Sequence, residues 1–190
     1  MINTVKKIEE KLLEKLDLIS NITPEKLEQL IKEFNFNLRD LITYLNPPEC
    51  KPYGRKIIYK SEQIECLLMT WGINRKCQIH SHGSQTCGFI KVMKGTVANY
   101  NYKKGCDNSL IQISSNIYST GDLFFVPSGI LHQMHSITQE QLITLHFYVP
   151  PITSMKIYDV THNLVFQVTD DCGAWFPEEN QIVSVKNLQN

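Results

Sequence analysis

The chain has 190 residues, 42% of them apolar, which is enough to bury the core of one ordinary domain. Nineteen basic residues balance nineteen acidic ones, so no net field exists to gather nucleic acid or an anionic membrane surface, and a small molecule is the expected partner. Six cysteines (Cys50, Cys66, Cys77, Cys87, Cys106 and Cys172) stand apart without a CxxC pair, which argues against a zinc ribbon and against a disulfide-stapled secreted scaffold.

In chain order, the first expected helix is the charged, amphipathic stretch 4–20, where Val5, Ile8, Leu12, Leu13 and Leu16 recur at helical spacing. It lacks the apolar run and small-residue cleavage site of a secretory signal, and no later stretch is apolar for long enough to span a bilayer, so a cytoplasmic monomer is expected. A second helix is marked by Leu27, Leu30, Ile31 and Phe34, with Thr23 as N-cap and Pro24 at the first helical position. Leu38, Leu41, Ile42 and Leu45 predict a third, capped by Asn37 and stopped by Pro47-Pro48.

After Pro52 the pattern changes to short runs of Ile, Val, Phe, Tyr and Thr bounded by Gly, Asn, Asp and Pro. At least nine strands are expected, the clearest at 56–60, 64–71, 89–94, 96–102, 123–126, 141–149, 155–160, 164–168 and 182–185. Cys66 lies among apolar neighbours in the second of these and reads as a small buried hydrophobe.

His80-Ser81-His82 places two imidazoles at i and i+2, which on a strand point to one face and can share a metal ion. Taken alone the pair also fits two partly exposed histidines at a strand end. The run Gly121-Asp122-Leu123-Phe124-Phe125-Val126-Pro127-Ser128-Gly129-Ile130-Leu131-His132 is more specific: a turn, a short buried strand, a Pro-x-Gly turn and a third histidine.

This run resembles the second cupin motif, and Gly72, the His80/His82 pair and Gly95 resemble the first. The resemblance implies that 1–190 is one mainly β cupin domain. Residues 52–190 would form a small jelly-roll barrel, and 1–46 would supply about three short helices packed on it. The first motif usually carries a glutamate after the second histidine, but Gly83-Ser84-Gln85-Thr86-Cys87 contains no carboxylate. The implied site is three neutral imidazoles, His80, His82 and His132. Such a set suits iron, copper, nickel or zinc and leaves the full divalent charge for an anionic ligand such as a thiolate.

Within the cupins, these residues and their flanks resemble the cysteine dioxygenase family, which oxidises cysteine to cysteine sulfinic acid with Fe(II) and O2. Tyr53-Gly54-Arg55 is similar to the family's Tyr-x-Arg, whose arginine binds the substrate carboxylate, and Trp71 to a tryptophan standing behind the metal. Thr144-Leu145-His146-Phe147-Tyr148-Val149-Pro150-Pro151 resembles the family's Leu-His-Leu-Tyr-x-Pro-Pro signature, with threonine in place of the usual serine. Period two separately puts Thr144, His146 and Tyr148 on one strand face, where they can form a hydrogen-bonded row.

The resemblance also implies a thioether between Tyr148 and a cysteine five residues after the second histidine, the place of Cys87. One extra residue between Cys87 and Gly95 leaves Gly88 as the alternative occupant, and a one-residue shift reverses faces.

The implied protein is an Fe(II) thiol dioxygenase for L-cysteine and O2, without nucleic-acid or membrane partners. Arg55, Tyr53 and Tyr148 would hold substrate, and Tyr148, Arg55, His146 and Cys87 would carry the catalytic roles, with Trp71 and Thr144 behind them. A dioxygenase for 3-mercaptopropionate or cysteamine is the nearest alternative, and a non-catalytic binding cupin is the alternative of another class. His135 and His162 have no motif partners and read as structural or solvent-facing, and Trp175 as core or barrel cover.

Overall fold

The computed structural model describes residues 22–34 and 36–188, with Glu10, Leu12, Glu14 and Lys15 ahead of them. Apart from those four positions the first expected helix, 4–20, lies outside the described residues. Among the described residues there are two α-helices, α1 (Pro24–Glu33) and α2 (Leu38–Leu41). Thr23 caps α1 by accepting from the Lys26 N–H at 3.4 Å, and Asn37 caps α2 by accepting from Arg39 N–H at 3.0 Å. The α2 pattern does not continue to Leu45 as expected. The chain tightens into a 3-10 turn at Ile42–Tyr44, which puts Tyr44 inside and leaves Ile42 57% exposed. No helix among the described residues is long and apolar enough to cross a membrane.

Twelve strands follow: β1 (Tyr53–Lys60), β2 (Glu65–Trp71), β3 (Ile79–Ser81), β4 (Cys87–Lys94), β5 (Thr96–Lys104), β6 (Leu110–Ser119), β7 (Leu123–Val126), β8 (Leu131–Ser136), β9 (Ile143–Val149), β10 (Lys156–Asp159), β11 (Leu164–Val168) and β12 (Ile182–Asn187). Nine correspond to expected runs. β3 and β8 are the short strands that carry the histidines, and β6 is a polar edge strand whose side chains are exposed over most of its length, so no buried face marks it in the sequence.

The strands form two sheets, β1-β2-β9-β4-β7 and β12-β11-β10-β3-β8-β5-β6, and every ladder is antiparallel. The expected closed barrel is therefore corrected to two separate sheets face to face, because no backbone ladder joins their edges. Side chains close the seams instead. Tyr118 of β6 stacks on Phe124 of β7 with centroids 4.0 Å apart, and Tyr53 of β1 accepts from Ala174 N–H at 2.7 Å.

Two apolar layers follow from this arrangement. Leu67, Met69, Trp71, Ile90, Val92, Val97, Phe124 and Met134 fill the space between the sheets. Leu27 and Ile31 of α1, with Leu41 of α2, cover the outer face of the first sheet at Cys66, Leu68, Phe89, Leu145 and Phe147. β2 and β9 are thus buried on both faces, which is why 64–71 and 141–149 read as nearly continuous apolar runs rather than alternating ones. Polar residues on the inner face of such strands stand out, and they build the site.

Candidate metal centre and adjoining pocket

β3 presents His80 and His82 inward on either side of Ser81, and His132 at the start of β8 is the direct cross-strand partner of His80. Gly129, at φ 73°, makes the turn that begins β8, and its N–H donates to Gly83 O at 3.0 Å, tying the two histidine segments together. One ring nitrogen from each histidine lies within 4.8 Å of the others, and the Nε2 atoms of His82 and His132 are 3.5 Å apart.

Two of the rings are oriented from behind. His80 Nδ1 donates to Gln78 O at 2.9 Å, and His132 Nδ1 donates to Asn99 Oδ1 at 2.9 Å, so each turns Nε2 inward. Asn99 Nδ2 donates to Asn101 Oδ1, whose own amide donates to Ser114 Oγ, which fixes the Asn99 carbonyl toward His132. Sequence reasoning missed Asn99, and its only signal is an amide at an otherwise inward-facing strand position.

Burial holds all three imidazoles neutral. It pushes His80 down to about 4 and His82 and His132 well below their ordinary value. Three neutral nitrogens converging on one point, with tautomers set by outside acceptors, fit a first-row divalent metal, and no carboxylate completes the set.

Beside the histidines, β9 and β2 build the hydrogen-bonded row. Trp71 Nε1 donates to Thr144 Oγ1 at 2.8 Å, Thr144 Oγ1 meets His146 Nε2 at 2.7 Å, and His146 Nδ1 meets the Tyr148 hydroxyl at 2.9 Å. The direction of the protons follows from counting donors. Trp71 can only donate, so the buried Thr144 hydroxyl hydrogen has only His146 Nε2 to go to. His146, kept neutral by burial with its pKa down at about 3, must then carry its hydrogen on Nδ1 and donate to the Tyr148 oxygen. The Tyr148 hydrogen is left to point at a ligand. Burial also raises the Tyr148 pKa well above its usual value, so the phenol stays protonated. Trp71 is thus part of the row and not only core.

Cys87 is not brought to Tyr148. Cys87 pairs with Val149 across the β4–β9 ladder, and its Sγ lies 3.5 Å from Val149 O, whereas Gly88 pairs with Tyr148. A Cβ on Gly88 would stand 2.7 Å from Tyr148 Cδ1 and 3.0 Å from Cε1. The expected Cys87–Tyr148 thioether and the catalytic role of Cys87 are therefore withdrawn. Counting back from Gly95 rather than forward from His82 selects Gly88, and odd and even positions of β4 face opposite sides of the sheet.

A pocket of about 420 Å³ opens onto His80, His82 and Tyr148, and Tyr53, Arg55, Glu65 and Met155 also line it. Arg55 Nη1 donates to Cys172 O and Nη2 to Asp170 O, both at 2.8 Å, so a segment far along the chain holds the guanidinium in place. Those bonds use two of five N–H groups and leave three for a ligand. Glu65 is a further charged residue of the pocket that sequence reasoning missed, although a lone carboxylate inside Ile64-Glu65-Cys66-Leu67-Leu68-Met69 was a visible signal. His135 bonds Asn74 and His162 bonds Asp159, and neither lines the pocket.

The fold and site define a two-sheet β protein with a candidate three-histidine metal centre on its inner face. The chain belongs to the cysteine dioxygenase type I family, whose profile matches residues 22–161. That family makes it a thiol dioxygenase by class. Three solved structures are also similar. They are an uncharacterized conserved protein with a double-stranded beta-helix domain from Klebsiella pneumoniae (13% identity over 66% of this chain and 97% of that one, TM-score 0.49), a protein from Bacillus halodurans (14%, 70% and 87%, 0.48), and an RmlC-like cupin from Shewanella frigidimarina (16%, 52% and 77%, 0.41).

Proposed function

We propose that this chain is an Fe(II)-dependent dioxygenase that converts L-cysteine and O2 to cysteine sulfinic acid. The carrying observation is that Arg55, a fixed cation, and Tyr148, a phenol with its hydrogen directed outward, line the same pocket as His80 and His82. Net, both atoms of O2 add to the thiol sulfur, which loses four electrons while O2 gains four, and no external reductant is needed.

His80, His82 and His132 would hold the iron, and bound Fe(II) would supply the one-electron chemistry between O2 and a thiolate that side chains lack. Arg55 anchors the substrate carboxylate through its remaining N–H groups, and because the carbonyls of Asp170 and Cys172 already fix it, little side-chain freedom is lost on binding. Tyr53, whose oxygen accepts from Ala174 N–H, has its own hydrogen to offer toward the same carboxylate. Tyr148 donates to the reacting sulfur or oxygen, and His146 and Thr144 hold that donor in direction. The wall formed by Ile152, Met155 and Thr169–Gly173 limits water at the reacting end.

The test is O2 uptake and sulfinate formation by iron-loaded protein with L-cysteine, 3-mercaptopropionate and cysteamine. Arg55 predicts that cysteamine, which has no carboxylate, is the poorest substrate. Arg55→Ala is expected to raise the KM for L-cysteine by about ten- to a hundredfold, the loss of a charge-assisted contact, with a smaller fall in kcat. No O2 uptake with any thiol would leave a binding protein, and cysteamine equal to cysteine would remove the role of Arg55.

A further inference from the structure

Glu65 begins β2 with its side chain on the inner face, directly across the ladder from Tyr148. It is 2% exposed, yet it lines the pocket that holds Arg55, His80 and His82. Burying a carboxylate is costly unless its oxygens are well partnered. Here the partners are few and long: Ile152 N–H donates to Oε2 at 3.3 Å, and Lys60 Nζ stands 3.5 Å from Oε1. Lys60 is itself 39% exposed and so partly solvated. A carboxylate has about four acceptor sites, and two distant donors leave it open to a further cationic donor from the pocket.

The charges in the pocket are thus arranged in pairs. Arg55 offers N–H groups to an anion, and Glu65 offers oxygens to a cation in the same space of about 420 Å³. A ligand with a carboxylate alone would satisfy Arg55 and leave Glu65 uncompensated. One with an amine alone would do the reverse. We infer that Glu65 is a specificity-determining residue that receives the amino group of the substrate, so that with Arg55 it selects a zwitterionic amino-acid thiol over a thiol carrying a carboxylate only. This rests on the thiol-site reading above and adds a residue and a substrate class to it.

Glu65→Gln keeps an oxygen for Ile152 N–H and removes the charge. In iron-loaded protein the variant is expected to lose about tenfold or more in kcat/KM for L-cysteine, the worth of a charge-assisted hydrogen bond, while 3-mercaptopropionate stays within about twofold or improves. Anaerobic calorimetry on the Zn(II)-loaded protein should show the same change in the ratio of the two dissociation constants without any turnover. Lys60→Ala removes the competing cation and should shift the ratio the other way, toward L-cysteine, which keeps the inference testable if Glu65→Gln does not fold.

Equal losses for both thiols in Glu65→Gln would mean a brace for the Ile152 turn and would overturn the inference. An unchanged ratio in both variants would overturn it as well. Wild-type protein that neither binds nor oxidises any thiol would instead defeat the thiol reading on which it stands, an outcome distinct from active wild type with an unmoved ratio.

Discussion

Thr144 spends one hydroxyl twice, accepting from the Trp71 indole and donating to His146, and both neighbours are buried where water cannot replace it. Thr144→Val preserves shape but leaves an indole N–H and an imidazole nitrogen unpartnered, at about 1–3 kcal/mol each. We expect lower kcat with metal content unchanged, and Thr144→Ser to restore most of the rate. Equal kcat in wild type and Thr144→Val would show that the row does not orient Tyr148. The same scale shows what was legible. The row at 144, 146 and 148 follows from period two within one strand, and the histidine pair from the same rule. Cys87 was misread because its face is set by where β4 enters the ladder with β9, a matter of pairing between segments and not of local pattern.

Among the elements, β9 carries the most. Its even positions hold the polar row, and its odd positions, Ile143, Leu145 and Phe147, pack outward against Leu27 and Ile31 of α1. The helices thereby brace the strand that aims Tyr148. Phe147, fully buried and in ring contact with Phe36 at 5.5 Å, is the central contact of that layer. Phe147→Ala should cost about 3–5 kcal/mol. A denaturant midpoint unchanged by the substitution would contradict that packing. Strand existence was legible wherever one face or both were buried. β6 escaped notice because an edge strand exposed along most of its length has neither an apolar face nor an apolar run. α2 stopped short because the 3-10 turn rotates Tyr44 into the place that helical spacing assigned to Ile42 and Leu45.

At the scale of the whole molecule, four buried histidines link folding to pH. Burial lowers His80 to about 4 and His146 to about 3 and moves His82 and His132 down as well. An unfolded chain takes up these protons near 6.5. Between there and about 4 the unfolded state binds more protons than the folded one, so stability is full above about 6.5 and falls as pH falls through that window. For metal-free protein the loss by pH 4 is on the order of several kcal/mol. Urea midpoints at pH 7.5, 6, 5 and 4 should decline steadily, and a flat series would mean that the histidines are not buried neutral. Because the folded protein resists protonation, metal should also stay bound below the pH at which free imidazole releases it.

The sequence by itself determined the metal ligands, the polar row, the two-faced burial of β2 and β9, and the family these features resemble. All of these follow from periodicity or from short motifs in which neighbours along the chain are neighbours in space. Only the tertiary structure decided that Gly88 and not Cys87 meets Tyr148, that Asn99 orients His132, that carbonyls of Asp170 and Cys172 hold Arg55, and that the sheets remain separate. Each of those depends on register or on contacts between distant segments. A strand's own alternation says which side chains share a face, but it does not say which partner strand that face meets or at what offset.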